Sequence, residues 1–275
     1  MILLYFLHCS KTHSYLINLE GVNMATGKWT RTEEIIVFNL YCKIPFKSSS
    51  KSNPEVIRIA NLIGRTPSAV NMKIGNFGSF DENLKKQGIV GLSNASALDE
   101  EIFFEFNNKW DELSYESEKL IAEYEKLANP TSVSMPIGME SEAVTKQRIN
   151  QSFFREAVLT SYGRACCITG LSNSEMLVAS HIKPWKDSNP IEKTNPRNGL
   201  CLNALHDKAF DRGFITISEN YTLIISNDIK DVCSGQAVAD FFKKYHGTSI
   251  RLPEKFLPDK LFLQYHNDCI FESWK

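Results

Sequence analysis

The sequence lacks any Cys-x-x-Cys pair and any hydrophobic run long enough to cross a membrane. Its seven cysteines are an odd number at irregular spacing, so neither a disulfide framework nor a zinc site built from cysteine pairs is expected. The apolar start, residues 1–9, is too short to span a bilayer and shows neither a positive region nor a cleavage site. We therefore expect a cytoplasmic protein with reduced thiols and no membrane association.

A strong net charge is also absent, since the sequence carries −1 overall. The charge is nevertheless uneven: residues 24–98 hold ten basic and five acidic side chains, residues 99–127 three and ten, and residues 142–213 ten and seven. Two basic blocks therefore flank an acidic one. This pattern suits two surfaces that face a polyanion and a connecting segment that does not, although ordinary solvated faces would give the same counts.

A chain of 275 residues with 43% hydrophobic residues can bury one sizeable core or two modest ones, and we expect two domains. Residues 24–98 would form a helical domain and residues 142–275 a second domain. Between them, residues 99–141 would form an acidic helical connector that ends in a linker at 129–141, where small and polar residues accompany Pro and Gly. Residues 1–23 would be an extension that is mis-started or disordered, or else a packed N-terminal strand.

Helix-start signals predict three short helices in the first domain. Thr30 and Glu33 form a capping-box pattern, and Pro follows directly after Asn53 and after Thr66. A stop at Gly64 predicts a tight turn before the third helix. This is the order of a helix-turn-helix arrangement, in which the last helix can enter a DNA major groove.

The start at Trp29 and the segment IGRTPSAV resemble a Myb or SANT-like DNA-binding domain. Helical spacing places the outward residues of the third helix at Ser68, Asn71, Lys73 and Asn76. Among them, we expect Asn71 and Lys73 to contact DNA. A small helical protein-interaction domain is the alternative.

The second domain is predicted to begin with an amphipathic helix, TKQRINQSFFREAVLTSY. In CCITGLSNSEMLVASHIKPW, which follows, two short apolar runs around a turn predict a β-hairpin with His181 on its second strand. In NPRNGLCLNALHDKAFDRG, a short strand leads into a helix, so His181, Asn198 and His206 would share one ββα unit. A further hairpin is predicted after Asp211, where FITISENYTLIISNDI alternates apolar and polar residues.

Three stretches, ASHIKPW, NPRNGLCL and LHDKAFDRGFI, resemble the HNH endonuclease family, in its branch of predicted bacterial restriction endonucleases. A helix with the pattern RxxQxFFR and a closing segment such as LFLQYHNDCIF, both present here, are also typical of that branch. The resemblance implies an α+β protein with a helical, helix-turn-helix-like N-terminal domain and a C-terminal ββα-metal nuclease domain. It assigns His181, Asn198 and His206 to the three positions that give the family its name.

The chemistry of phosphodiester hydrolysis suits these residue types. The reaction needs a base that deprotonates water near neutral pH, and His181 would be this general base. The Asn198 amide cannot titrate but can both donate and accept, so it would orient the catalytic loop and the imidazole. His206 would bind a divalent cation, Mg²⁺ by default, although Mn²⁺, Ni²⁺ and Zn²⁺ accept the same ligand types.

One position departs from the wider family. Many HNH nucleases have an acidic residue or a second histidine directly before the first histidine, where it helps to hold the metal, but this sequence has Ser180 there. A neutral hydroxyl is a poor substitute. Asp207 and Asp211 follow His206 on the same predicted helix, and either carboxylate could complete the metal shell, with Asp211 preferred.

Basic residues near the motif are candidate DNA-binding residues: Lys183, Arg197, Lys208 and Arg212. Contacts with phosphate oxygens position DNA without reading its sequence. Surface salt bridges are the alternative for each of these four side chains.

Together these features predict a metal-dependent endonuclease that acts on double-stranded DNA, in restriction or another defence against foreign DNA. Cleavage of both strands needs two active sites, which favours a homodimer, and a partner DNA methyltransferase is a further expectation. Two alternatives stay open: a non-catalytic DNA-binding regulator that retains an HNH fold, suggested by Ser180, and an RNA-directed nuclease.

Overall fold

The computed structural model describes residues 27–128 and 142–272 of the chain. The predicted extension at 1–23 and the predicted linker at 129–141 lie outside these ranges. The described residues form an α+β fold, with a helical N-terminal part and two small two-stranded sheets in the C-terminal part. In these residues, no helix combines the length and the apolar character that a membrane span requires.

Helices dominate the N-terminal part, and among the described residues strands occur only after residue 176. The first helices are α1 (Arg31–Lys43), α2 (Pro54–Leu62), α3 (Pro67–Gly78), α4 (Glu82–Lys86), α5 (Ala97–Phe106) and α6 (Trp110–Ala128). They are followed by α7 (Glu142–Ser161), β1 (Leu177–His181), α8 (Pro190–Thr194), β2 (Gly199–Asn203), α9 (Ala204–Asp211), β3 (Ile215–Ile217), β4 (Leu223–Ile225), α10 (Gln236–Phe241) and α11 (Lys260–Cys269).

The predicted helix starts in the N-terminal part are confirmed. Thr30 and Glu33 make both hydrogen bonds of a capping box at the start of α1. The side chain of Asn53 accepts from two amides at the start of α2, and Thr66 caps α3. Because each cap satisfies amides that have no partner within the helix, the local sequence is enough to set these boundaries.

Helix α1 is the centre of the N-terminal part, since residues 33–42 are all buried. Around it, the Phe38 ring lies 4.9 Å from the Phe77 ring and 5.5 Å from the Phe103 ring, measured between centroids. Each such phenyl ring stabilises the fold by about 1.5–3 kcal/mol through burial. Helices α5 and α6 pack into this same core, so residues 97–128 are part of the helical domain and do not form a separate connector.

The prediction that Lys73 contacts DNA is wrong. Only 5% of this residue is exposed, because its ammonium group pairs with Glu34 at 2.9 Å and with Asp99. The same group lies 4.8 Å from the centre of the Trp29 ring. Helical spacing placed Lys73 on the outside of α3, but α1 and α5 cover that side and supply the carboxylates. Lys73 therefore joins three helices.

Asn71, which is predicted to contact DNA, accepts one hydrogen bond within the protein. Its side-chain oxygen accepts a hydrogen bond from the Ser49 hydroxyl at 2.6 Å, and the residue is half-buried. Ser68 is exposed, and Met72 between them is 60% exposed. The role of Asn71 in DNA binding stays a prediction.

Helix α7 joins the two parts of the molecule. Phe153 belongs to the helical core and stacks on Trp110, with ring centroids 6.3 Å apart and planes 20° apart. Phe154, the next residue, belongs to the second core, which surrounds the strands. Consecutive residues of a helix point about 100° apart, which lets one helix contribute to both cores.

The C-terminal part also reaches into the helical core, through Lys255 and Phe256. The Lys255 ammonium group is fully buried and donates to the carbonyl of Tyr41 and, at 2.8 Å, to that of Ile44. Burial lowers the pKa of Lys255. Carbonyls at a helix C-terminus carry partial negative charge, so a cation is favourable at this end of α1. Phe256 packs edge-on against Trp110, with centroids 5.3 Å apart.

The hairpin predicted before His181 is wrong. Strand β1 pairs with the later strand β2 in antiparallel fashion, and His181 lies opposite Gly199. The residues before β1 form turns, and the amide of Cys167 donates to the carbonyl of Cys201 in β2. Two apolar runs around a turn have the pattern of a hairpin, but the true partner of β1 comes after α8 and leaves no local signal.

The hairpin predicted after Asp211 is confirmed. Strands β3 and β4 pair antiparallel, with Ile215 opposite Ile225. Helix α9 packs against β1 and β2, which gives the predicted ββα unit. His181 ends its first strand, Asn198 directly precedes its second strand, and His206 lies on its helix.

Candidate active site

His181 ends β1 with its ring held on three sides. Its Nε2 lies 2.9 Å from the carbonyl oxygen of Lys193, so Nε2 carries the proton of the neutral ring and donates it. One face stacks on Phe154 at a centroid distance of 3.8 Å, and Trp185 lies edge-on at 5.5 Å. Burial lowers the pKa of His181. At neutral pH the ring is therefore uncharged and Nδ1 keeps its lone pair.

Asn198 is fully buried and holds the loop that follows β1. Its Oδ1 accepts from the Lys183 amide at 2.8 Å, while its Nδ2 donates to the carbonyls of Lys183 and Glu192, each at 3.2 Å. A third donor contact, at 3.4 Å, reaches the Ser188 hydroxyl. The side chain thus has the loop-orienting geometry that its amide chemistry predicts.

His206 lies on α9 with Nε2 turned toward the C-terminal segment. Its Nε2 lies 2.7 Å from the carbonyl oxygen of Phe241, and its Nδ1 lies 3.1 Å from Oδ1 of Asn203. The residue is fully buried, with its ring near the rings of Phe242 and Tyr245. The neutral ring donates its single proton from Nε2 to the Phe241 carbonyl, which anchors the start of α9 to the C-terminal segment and leaves Nδ1 without a proton. The role of His206 as a metal ligand stays a prediction.

Two carboxylates of α9 lie beside the end of β1. Asp207 and Asp211 are one helical turn apart and share a face of the helix. Burial raises the pKa of Asp207, the nearby Ser180 hydroxyl opposes this shift, and the Asp211 carboxylate adds to it. The Asp211 carboxylate also raises the pKa of His181, against the larger effect of burial. The Asp211 carboxylate therefore influences both the His181 imidazole and the Asp207 carboxylate at this end of the ββα unit.

Residues 166–218 match a family model described as HNH endonuclease. This segment of the chain is an HNH endonuclease domain. The matched segment contains β1, β2 and α9, and with them His181, Asn198, His206, Asp207 and Asp211. It is a nuclease domain, and HNH nucleases generally use a divalent metal ion.

Comparison with other proteins adds a distant structural likeness. No curated protein matches the chain. The chain is similar to a solved structure titled "Modification dependent TagI restriction endonuclease", with a TM-score of 0.31 and 16% sequence identity. The match covers 42% of this chain and 37% of that chain, so it spans little more than a third of the other protein.

The donor atoms of the HNH domain fit a hard cation. Within residues 27–128 and 142–272, no group of three or more His, Cys, Asp or Glu side chains forms a complete metal site. Mg²⁺, however, is commonly held by one or two carboxylates and keeps several waters. Asp207 and Asp211 supply two carboxylates, and the buried Ser180 hydroxyl lies beside Asp207. All three groups are oxygen donors.

The four basic residues of the HNH domain that are predicted to bind DNA differ in their exposure and in their contacts within the protein. Lys183 pairs with Glu192 at 2.7 Å. Lys208 and Arg212 are exposed on and just after α9, while Arg197 is half-buried and its Nε makes no hydrogen bond with the described residues. Their contacts with phosphate stay predictions.

Two contributors to the HNH site were not predicted from the sequence. Lys193 acts through its backbone carbonyl, which any residue would supply, so no side-chain pattern indicates it. Phe154 lies within the FFR segment of α7, where an amphipathic pattern shows only that an aromatic ring is buried. Its contact with His181 depends on the packing of α7 against β1 and β2.

Proposed function

We propose that this HNH endonuclease hydrolyses phosphodiester bonds of double-stranded DNA in a metal-dependent reaction, with His181 as the general base. The observation that supports this most directly is the state of the His181 ring. A backbone carbonyl fixes the proton on Nε2, and the opposite nitrogen is left to accept a proton beside the carboxylate of Asp211.

In the proposed reaction, Nδ1 of His181 takes a proton from the attacking water. The lowered pKa of His181 keeps the ring in its basic form at neutral pH. The Lys193 carbonyl then stabilises the imidazolium through the Nε2–H group, since a carbonyl oxygen attracts the added charge. General-base catalysis of this kind contributes about 10²–10⁴ in rate.

Asp207 and Asp211 would hold the divalent cation, and we favour them over His206, whose Nε2 donates to the Phe241 carbonyl. Oxygen donors favour Mg²⁺ or Mn²⁺ over Ni²⁺ and Zn²⁺, and we propose Mg²⁺. When bound, the ion supplies positive charge that stabilises the phosphate oxygens and the leaving oxygen. Asn198 keeps the loop after β1 in place, and Lys183, Arg197, Lys208 and Arg212 contact DNA phosphates.

The biological role that we propose is restriction or another defence against foreign DNA. It is supported by the resemblance of the ASHIKPW, NPRNGLCL and LHDKAFDRGFI stretches to the restriction branch of the family. A homodimer and a partner DNA methyltransferase stay predictions.

The test is cleavage of plasmid DNA by the full chain with Mg²⁺, Mn²⁺ or a chelator. We expect cleavage that the chelator stops, and loss of cleavage in His181→Ala. His246→Ala is the matched control, because His246 is exposed and lies on a different segment, and it should cleave like wild type. Equal cleavage by wild type and His181→Ala would contradict the proposal. Salt-sensitive DNA binding without cleavage under any of the metals would favour a non-catalytic regulator.

A further inference from the structure

We propose that Phe154 is a positioning residue for the general base: its ring, carried by α7, sets the plane of the His181 imidazole. This inference rests on the proposed function, because it assumes that His181 is the base. Phe154 lies outside the segment that matches the HNH family model, which begins at residue 166.

The contact between the two rings is close and nearly parallel. Their centroids are 3.8 Å apart and their planes differ by 12°. Only 3% of Phe154 is exposed, so the phenyl ring is itself fixed by the second core. The imidazole cannot turn about its own side-chain bond without driving its edge into this ring.

The other sides of the imidazole are also limited. Trp185 lies edge-on at 5.5 Å with a plane angle of 86°, and the Lys193 carbonyl fixes Nε2 at 2.9 Å. The hydrogen bond sets the direction of Nε2, and Phe154 sets the tilt of the ring around that direction. Both are needed to aim Nδ1 at one point.

Gly199 provides the space for this arrangement. It lies opposite His181 in the β1–β2 ladder, and a Cβ at this position would come 3.0 Å from Cζ of Phe154 and 2.4 Å from Cγ2 of Val158. Its backbone is extended, with φ −130°, so the glycine is required here for space and not for backbone conformation. Because residue 199 of β2 has no side chain, α7 can approach β2 closely enough for Phe154 to reach the imidazole.

Removal of the phenyl ring should therefore affect the chemical step more than binding. In Phe154→Leu, the imidazole gains freedom to tilt, Nδ1 points at the water for a smaller share of the time, and kcat falls. Phe154 is buried and does not present a surface to DNA, so KM should stay unchanged. We expect a loss of about tenfold or more in kcat, which is part of the general-base contribution.

The experiment compares full-length Phe154→Leu with Val158→Ala. Val158 is a matched control because it lies on the same helix, is 1% exposed, packs in the same core and also borders Gly199. Steady-state cleavage gives kcat and KM, and circular dichroism gives the folded fraction used to correct them. We expect kcat to fall in Phe154→Leu and to stay within about twofold of wild type in Val158→Ala. Equal corrected losses of kcat, or none in Phe154→Leu, would overturn the proposal.

A spectroscopic readout tests the stacked contact itself. Stacking at 3.8 Å places the His181 ring protons in the ring current of Phe154, so their NMR signals should lie upfield in wild type and in Val158→Ala. In Phe154→Leu they should return to ordinary positions, and unchanged signals would overturn the proposal. If wild type cleaves through His181 but Phe154→Leu keeps its kcat, only the positioning role fails. If wild type does not cleave, both proposals fail.

Discussion

At the scale of single residues, Asn198 fixes the loop between β1 and α8 with one side-chain amide. Its oxygen accepts from the Lys183 amide, and its nitrogen donates to the carbonyls of Lys183 and Glu192. Aspartate has nearly the same size, but it has no donor and would place a carboxylate oxygen against those carbonyls. We predict that Asn198→Asp lowers the free energy of unfolding by about 2 kcal/mol and abolishes cleavage.

Urea unfolding and plasmid cleavage check the prediction for Asn198. Asn195→Asp is the matched control, because Oδ1 of Asn195 accepts from the Arg197 amide at 3.0 Å and a carboxylate can accept the same bond. That variant should keep both its stability and its activity. Equal losses in the two variants would contradict the role given to the Asn198 donors.

His266 makes the folded protein sensitive to acid. Its Nε2 donates to the Phe210 carbonyl at 3.1 Å, its Nδ1 lies 2.8 Å from the Thr216 hydroxyl, and its ring stacks on Phe210. Burial lowers the pKa of His266 to about 4, whereas a histidine in an unfolded chain titrates near about 6.5. Between these values the unfolded state binds a proton that the folded state does not. Stability therefore falls as the pH drops through this window, by at most about 1.4 kcal/mol per pH unit.

We predict that His266→Gln loses less stability than wild type when the pH is lowered from about 6.5 to about 4.5. Urea unfolding at several pH values gives the free energy of unfolding of both proteins. Burial also lowers the pKa of His181 and of His206, but these residues are present in both proteins and their effect cancels in the comparison. Parallel stability curves would show that His266 is not responsible.

The preference for Asp207 and Asp211 over His206 as metal ligands can be tested by metal binding without cleavage. We predict that Asp207→Asn and Asp211→Asn weaken binding of Mn²⁺ at least about tenfold, because each removes a charged oxygen ligand. His206→Gln should be less stable but should bind Mn²⁺ like wild type, since Nε2 of His206 donates to the Phe241 carbonyl within the protein. Isothermal titration calorimetry measures these affinities. The opposite pattern would restore His206 as the ligand.

At the scale of secondary-structure elements, Lys73 on α3 links α1 and α5 through its buried ion pairs with Glu34 and Asp99. Replacement by methionine would leave Glu34 and Asp99 buried without their common cation. We predict that Lys73→Met lowers the free energy of unfolding by about 3 kcal/mol or more, which is typical when one partner of a buried ion pair is removed. Lys86→Met, at an exposed position of α4, should change it by less than about 0.5 kcal/mol.

Urea unfolding of both lysine variants provides the measurement, together with DNA binding. A loss of DNA affinity in Lys73→Met without any loss of stability would contradict the buried role and support the contact expected from helical spacing. The comparison with Lys86→Met shows whether removal of one positive charge alone affects either property.

The elements also show which parts of the fold could be predicted from the sequence. Caps, amphipathic helices and the hairpin after Asp211 depend on residues close together in the chain, and these predictions are confirmed. The pairing of β1 with β2, the carboxylates around Lys73 and the Phe241 carbonyl beside His206 come from distant segments. Periodicity within one element contains no information on such partners.

At the scale of the whole molecule, the helical part and the HNH part share side chains and should unfold together. Phe153 and Phe256 come from the second half of the sequence but belong to the helical core. We predict that Phe256→Ala destabilises the full chain by about 3 kcal/mol and lowers protection from hydrogen exchange in both α1 and β2. Phe104→Ala, at a ring position 58% exposed, should have little effect. Loss of protection in α1 alone would show that the two parts unfold separately.

The ammonium group of Lys255 occupies the end of α1, and this has a consequence for the order in which the protein matures. Helix α1 is synthesised long before residue 255, so its C-terminal carbonyls at Tyr41 and Ile44 receive their donor only late in synthesis. The N-terminal helices cannot reach their final packing during most of translation. A nascent chain therefore completes the packing at the end of α1 only after residue 255 has been made.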